Sequence, residues 1–127
     1  MGGLIGTATT EKDGLMSKIF APIYIQANNL RGKNWRVRNR GTYILTYSHP
    51  YANAVFLVYQ AEGYDIKIQN LYKYGNGGEF RILSSGEYIV IKGVSAGGSV
   101  LGITNIGCSE NKIEETNENI DGYTYIF

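Results

Sequence analysis

The stretch TYILTYSHPYANAVFLVYQ, residues 42–60, decides the fold class. Residues 42–47 are rich in β-branched and aromatic residues, which predicts a strand with Tyr43, Leu45 and Tyr47 on one side. A turn sequence, Ser-His-Pro-Tyr, follows. The apolar run at 54–60 then predicts a second strand, central in its sheet and covered on both faces.

Short strands are also predicted on either side of this pair. They lie at residues 18–27, 34–40, 64–72, 80–83, 87–92, 100–106 and 122–127. Two glycine-rich segments, 75–78 and 93–98, lack the residues of a phosphate-binding loop and are expected to be hairpin loops. The polar, acidic residues 107–120 are expected to be a loop. Strands at this spacing, with no amphipathic helical period, predict an all-β, antiparallel β-sandwich that is jelly-roll-like.

Composition and charge exclude several classes of function. A chain of 127 residues corresponds to one domain, and its formal net charge of +1 creates no strong field toward nucleic acid or an anionic membrane. No apolar run approaches the roughly 20 residues that a membrane span needs. We therefore expect neither a nucleic-acid partner nor membrane insertion. The single cysteine, Cys108, rules out an internal disulfide framework.

The N-terminal stretch TATTEKDGLMSK, residues 7–18, differs from the rest of the chain. Its β-branched start favours an extended conformation, and Asp-Gly is a turn pair. Leu15 and Met16 follow the turn and cannot be buried by a lone extended arm. They are therefore expected to contact the chain's own domain or a neighbouring chain, as oligomer contacts.

This stretch resembles a connector in bacteriophage and prophage tail-fibre proteins, where an Ala-Thr-rich run followed by Gly-Leu-Met-Ser lies between shaft and head. The matching residues are Ala8, Thr9, Thr10, Gly14, Leu15, Met16 and Ser17. The resemblance implies an arm over residues 1–18 and a sandwich head domain over residues 19–127, in a homotrimer located on a virion tail. The head would be structural and receptor-binding, and would contact a cell-surface polysaccharide or protein. The chain continues directly into Ile-Phe-Ala-Pro, so no helical neck is expected.

No catalytic constellation is visible in the sequence. The only histidine, His49, lies in a turn sequence, and Cys108 has an acidic neighbourhood that favours a small, part-buried, inert thiol. No metal-binding or cofactor-binding motif is present, so neither a metal nor a cofactor is expected. An enzyme would depend on facing carboxylates such as Glu62 and Asp65, and a non-enzymatic protein is the prediction.

One basic cluster has two interpretations. It consists of Arg31, Lys33, Arg36, Arg38 and Arg40. It could be a binding face for an anionic polysaccharide or nucleic acid. It could instead pair, within or between subunits, with the acidic residues Glu110, Glu114, Glu115, Glu118 and Asp121.

Aromatic residues near loops are the candidate ligand-binding residues, because a flat ring with a polar atom suits sugar stacking and protein interfaces. The predicted set consists of the aromatic residues Trp35, Tyr51, Tyr72 and Tyr74, together with Asn76 in the adjacent loop. Besides a tail-fibre head, the sequence allows a free-standing carbohydrate-binding or adhesin module. That module would be monomeric, with Trp35 and tyrosines forming a stacking platform on one sheet face.

Overall fold

The computed structural model describes residues 21–127. The strands in this range are β1 (Ile23–Gln26), β2 (Asn34–Val37), β3 (Gly41–His49), β4 (Ala52–Gln60), β5 (Lys67–Tyr74), β6 (Phe80–Ser84), β7 (Ile89–Gly93), β8 (Val100–Cys108), β9 (Ile113–Thr116) and β10 (Thr124–Tyr125). A single-turn 3₁₀ helix, Ala27–Asn29, follows β1. Over this range, no helix is long and apolar enough to cross a membrane.

The strands form two antiparallel five-stranded sheets. The first sheet has the order β1-β8-β3-β4-β5, and the second has the order β10-β6-β7-β2-β9. The longest hairpin is β3–β4, whose pairing runs without interruption from Gly41 opposite Gln60 to His49 opposite Ala52. The prediction of an all-β antiparallel sandwich is confirmed.

The core lies between the two sheets. Tyr43, Leu45 and Tyr47 all point into it, as their alternation predicted. The prediction that the apolar run 54–60 is covered on both faces is wrong. Its even-numbered residues are buried, whereas Val55 and Leu57 are half-buried and Tyr59 is exposed. Both faces of this strand are apolar, but among the described residues only the face that points into the core is buried.

A polar bridge crosses the core between the sheets. The Tyr43 hydroxyl donates to Gln60 Oε1 over 2.6 Å, and Gln60 Nε2 donates to the carbonyl oxygen of Val37 over 2.9 Å. Val37 belongs to the second sheet, and the other two residues belong to the first. Burial raises the pKa of Tyr43 well above its usual value, so its hydroxyl remains a donor.

The acidic segment after β8 contains a strand, so the prediction of a loop over 107–120 is wrong. Ile113 faces Val37 in the β2–β9 pairing, and this apolar pair lies against the core. Glu114 and Glu115 follow Ile113 on the edge strand β9, and they pair with Arg38 and Lys33, which flank β2. Backbone pairing with β2 and the packing of Ile113 against the core therefore offset the low β-propensity of glutamate.

The glycine-rich segments are not hairpin loops, which corrects a third prediction. The first connects β5 to β6 and the second connects β7 to β8, so each crosses from one sheet to the other. Both crossings lie at the end of the sandwich where Val100 faces Ser48 and Tyr74 faces Asn53.

The outer face of the second sheet carries buried apolar residues and hydrogen bonds to the C-terminal segment, residues 117–127. Leu83 and Val90 lie opposite each other on that face and are buried, although they are separate from the main core. The Arg36 guanidinium stacks 3.7 Å from the centre of the Tyr88 ring. Glu118 accepts hydrogen bonds from the hydroxyls of Tyr88 and Tyr123, and these bonds fix the C-terminal segment over the sheet.

Candidate functional site

The candidate site lies at one end of the sandwich, where the β3–β4 turn meets the two glycine-rich crossings. Gly75 begins the first crossing with φ +74° and lies directly against the turn. A Cβ at this position would lie 2.8 Å from the carbonyl oxygen of Tyr51 and 3.0 Å from the Cβ of Ala52. Glycine therefore permits both the backbone conformation and the close approach.

The floor of the site is a hydrogen-bonded group built on the buried residues Tyr47 and Ser99. The Tyr47 hydroxyl lies 3.2 Å from Ser99 Oγ, and the backbone N–H of Gly78 donates to the same hydroxyl over 3.4 Å. Tyr47 extends from β3, whereas Ser99 and Gly78 belong to different crossings. One tyrosine therefore joins both crossings to the first sheet.

Glu79 ties the two crossings to each other. Its Oε1 accepts the backbone N–H of Ser99 over 2.8 Å, and its carboxylate packs against Gly97, where a side chain would overlap it. Hydrogen bonds from the hydroxyl and then the backbone of Ser99 lower the pKa of Glu79, with a smaller contribution from His49. The carboxylate is therefore ionised at neutral pH and serves to hold the loops.

The walls of the site leave an open cleft of about 300 Å³. Tyr51 lines the cleft and is 80% exposed, and its ring lies 5.5 Å from the His49 ring. The backbone N–H of Tyr51 donates to His49 Nδ1 over 3.2 Å, so His49 supports the turn that presents the tyrosine. Asn76 also lines the cleft and is exposed. The cleft thus combines an exposed aromatic face with amide, hydroxyl and carboxylate groups.

The structure brings together two of the predicted ligand-binding residues, Tyr51 and Asn76. Tyr72 and Tyr74 lie nearby on the edge strand β5, are exposed, and do not line the cleft. Trp35 lies in β2 of the second sheet, where its indole N–H donates to the carbonyl oxygen of Leu30 over 3.2 Å. The predicted oligomer contacts Leu15 and Met16 lie outside the described residues.

Sequence reasoning missed four residues that form the site: Tyr47, His49, Glu79 and Ser99. The available signal was the pair of glycine-rich segments, which come close together only if both cross between the sheets. Glu79 directly follows the segment 75–78, and Ser99 directly follows the segment 93–98. If both segments cross between the sheets, these two residues are predicted to be partners.

Three of the five residues of the basic cluster pair with the acidic segment within the chain, which is one of the two interpretations of the cluster. Arg38 lies 3.0 Å from Glu114, Lys33 lies 3.3 Å from Glu115, and the Nε of Arg40 lies 3.8 Å from Glu110. These exposed pairs contribute little stability individually. They neutralise much of the basic charge that an anionic ligand would need.

The residues considered for catalysis and metal binding have other contacts. Glu62 accepts a 2.6 Å hydrogen bond from Arg40 in an exposed ion pair. Cys108 is buried, its thiol donates to the carbonyl oxygen of Thr42 over 3.1 Å, and burial raises its pKa. Within residues 21–127, no group of three or more His, Cys, Asp or Glu residues is arranged to hold a metal ion.

Comparisons of the chain with protein-family models, with curated proteins and with solved structures give no match. The resemblance to tail-fibre connectors therefore depends on residues 8–17 alone.

Proposed function

We propose that this chain is the non-enzymatic, receptor-binding head domain of a tail-fibre-like assembly, and that its loop-end cleft binds a cell-surface glycan. The observation that carries the proposal is that Tyr51 and Asn76 line one cleft whose floor is held by hydrogen bonds. The cleft has a volume of about 300 Å³. Protein sites that bind small molecules in clefts of this volume combine apolar surface with a few fixed polar groups. A tyrosine ring provides the stacking surface, and the amide and hydroxyl groups provide hydrogen bonds to sugar hydroxyls.

The glycan in this proposal is neutral. The described residues that line the cleft include no lysine or arginine, and their one carboxylate is Glu79. An anionic sugar would place its negative charge beside this carboxylate with no basic partner, which is unfavourable. The arginines and Lys33 around β2 and β9 are largely engaged with glutamates elsewhere on the domain.

The position of the cleft relative to Ala21 also supports a head domain. Ala21 accepts a 2.9 Å hydrogen bond from Asn111, which follows the Cys108 end of β8. The cleft lies beyond the opposite end of the same strand, beside Ser99. In the proposal, residues 1–18 connect the head to a shaft on a virion tail, three copies assemble, and Leu15 and Met16 contact neighbouring copies. The cleft then faces away from the shaft.

A glycan array with neutral and sialylated or uronic acid-containing sugars, followed by titration of the strongest ligand, tests this function. Tyr51→Ala is expected to weaken binding by about tenfold or more, because a central aromatic contact contributes on the order of 1–2 kcal/mol. Tyr64→Ala is the matched control. Its ring is 72% exposed, and it lies in the β4–β5 connection at the opposite end of the sandwich.

Three results would contradict the proposal. The first is that the chain binds no glycan on the array, and the second is that it prefers anionic sugars. The third is that Tyr51→Ala and Tyr64→Ala weaken binding equally. Release of new reducing ends from a bound glycan would contradict its non-enzymatic part.

A further inference from the structure

We propose that the outer face of the first sheet is the surface through which copies of this chain associate. This outer face is formed by side chains that point away from the core. They are Tyr24 and Gln26 of β1, Thr42, Ile44, Thr46 and Ser48 of β3, Asn53, Val55, Leu57 and Tyr59 of β4, Lys67, Gln69, Tyr72 and Tyr74 of β5, and Val100 and Thr104 of β8. Each of them is half-buried or exposed. Among the described residues, therefore, nothing buries this face.

The composition of the outer face is unlike that of a solvated sheet. Its only charged side chain is Lys67, at the start of the edge strand β5. Its centre consists of Ile44, Thr46, Val55 and Leu57, which are adjacent in the β3–β4 pairing. Polar and aromatic side chains surround this aliphatic centre. Protein interfaces have this organisation, with few charges, an apolar centre and a rim of polar and aromatic residues.

The two sheets differ in how their outer faces are covered. On the second sheet, the outer-face residues Leu83 and Val90 are buried, Arg36 stacks on Tyr88, and Glu118 of the C-terminal segment is hydrogen-bonded to Tyr88. The first sheet has no such covering among residues 21–127. An exposed apolar patch of this kind is usually a contact surface.

The size and charge of the outer face favour a second copy as the partner. Five strands of up to nine residues give a face of roughly 600 Å² at about 4.8 Å between strands and about 3.3 Å per residue. Specific interfaces bury roughly 600–1,000 Å² per partner, so the face is large enough. Because its centre is uncharged, identical copies can meet there without like-charge repulsion. A glycan is a poorer fit, because the centre is aliphatic and lacks the rings that sugars stack on.

The outer face has two hollows that can accept side chains of a second copy. One hollow of about 590 Å³ lies beside Thr46 and Val55, and another of about 250 Å³ lies beside Thr42 and Leu57. The two hollows lie on either side of the centre along β3 and β4. Side chains from a second copy can fill them at close packing.

Light scattering on the full 127-residue chain over a dilution series tests this inference. The wild-type mass is expected to be a multiple of 14.1 kDa. Val55→Lys places a charge at the centre of the outer face and is expected to weaken association by about 100-fold or more. Val94→Lys is the matched control, because Val94 is exposed and lies off this face, after β7. Circular dichroism establishes that the variants are folded, and Thr46→Lys replaces Val55→Lys if the latter is not.

The inference concerns the assembly part of the proposed function, and the experiment separates the two. A wild-type mass of 14.1 kDa at all concentrations would overturn both the outer-face contact and the trimer, while leaving the cleft intact. An oligomer whose mass is unchanged by Val55→Lys and Thr46→Lys would overturn the outer-face contact alone. Loss of glycan binding by Tyr51→Ala is measured independently of either result.

Discussion

The polar bridge through the core allows a quantitative test by Tyr43→Phe. The change removes the hydroxyl that donates to Gln60 Oε1 and leaves the ring in place. Tyr43 is fully buried and Gln60 is 6% exposed, so water cannot replace the lost donor without rearrangement. A buried acceptor without a partner costs about 1–3 kcal/mol. We expect the free energy of unfolding to fall by about 2 kcal/mol.

Urea denaturation followed by the fluorescence of Trp35, the only tryptophan, measures this change. With a denaturant dependence of about 1–3 kcal/mol per molar urea, the midpoint is expected to fall by about 1 M. Tyr72→Phe removes a hydroxyl from an exposed ring and should change the stability by less than about 0.5 kcal/mol.

A double-mutant cycle with Gln60→Leu identifies the cause. In the Gln60→Leu background Tyr43→Phe no longer leaves an amide oxygen without its donor, so its cost should fall by about 1 kcal/mol or more. The reasoning is refuted if Tyr43→Phe costs no more than Tyr72→Phe. It is also refuted if the cost of Tyr43→Phe is the same in both backgrounds.

Two further changes test the connections around the cleft. Gly93→Ala should destabilise the fold by about 3 kcal/mol, because the new Cβ would overlap the backbone carbonyl of Leu30. Gly98→Ala is the control, because a Cβ at residue 98 meets open space. Equal urea midpoints for the two variants would contradict this prediction. Hydrogen bonds from Ser99 lower the pKa of Glu79, so its stabilising contribution is present above its usual pKa near 4.5 and is lost as the pH falls through the lower folded value. Glu79→Gln should therefore be less stable than wild type at pH 7 and should lose less stability on acidification below about pH 5. Thermal unfolding across pH measures both differences. Identical pH profiles for the two proteins would contradict a stabilising role of the Glu79 carboxylate.

Much of the fold could be predicted from the sequence because strand alternation is a local signal. Tyr43, Leu45 and Tyr47 occur at every second position, and this period alone directs them to one face. Residues 54–60 lack that alternation, since both of their faces are apolar. The sequence shows that apolar surface is present on both sides, but not which side the chain itself covers.

The segments that were predicted wrongly depend on partners distant in sequence. Ile113 belongs to a strand only because Val37 lies opposite it, and its acidic neighbours have low strand propensity. The same reason explains why the cleft was predicted only in part. Tyr51 and Asn76 were identifiable as loop residues, but the bond between Ser99 and Glu79 depends on both crossings passing between the sheets.

The position of Ala21 at one end of the sandwich and the cleft at the other has a mechanical consequence. Tension between them runs along the strands of the first sheet, while the hydrogen bonds between β1 and β8 and between β8 and β3 lie across that direction. Such a load is shared by a whole row of hydrogen bonds in shear, instead of opening them one at a time. In single-molecule pulling, a force applied between Ala21 and Tyr51 should therefore unfold the domain at a higher load than a force that peels β5 away from β4.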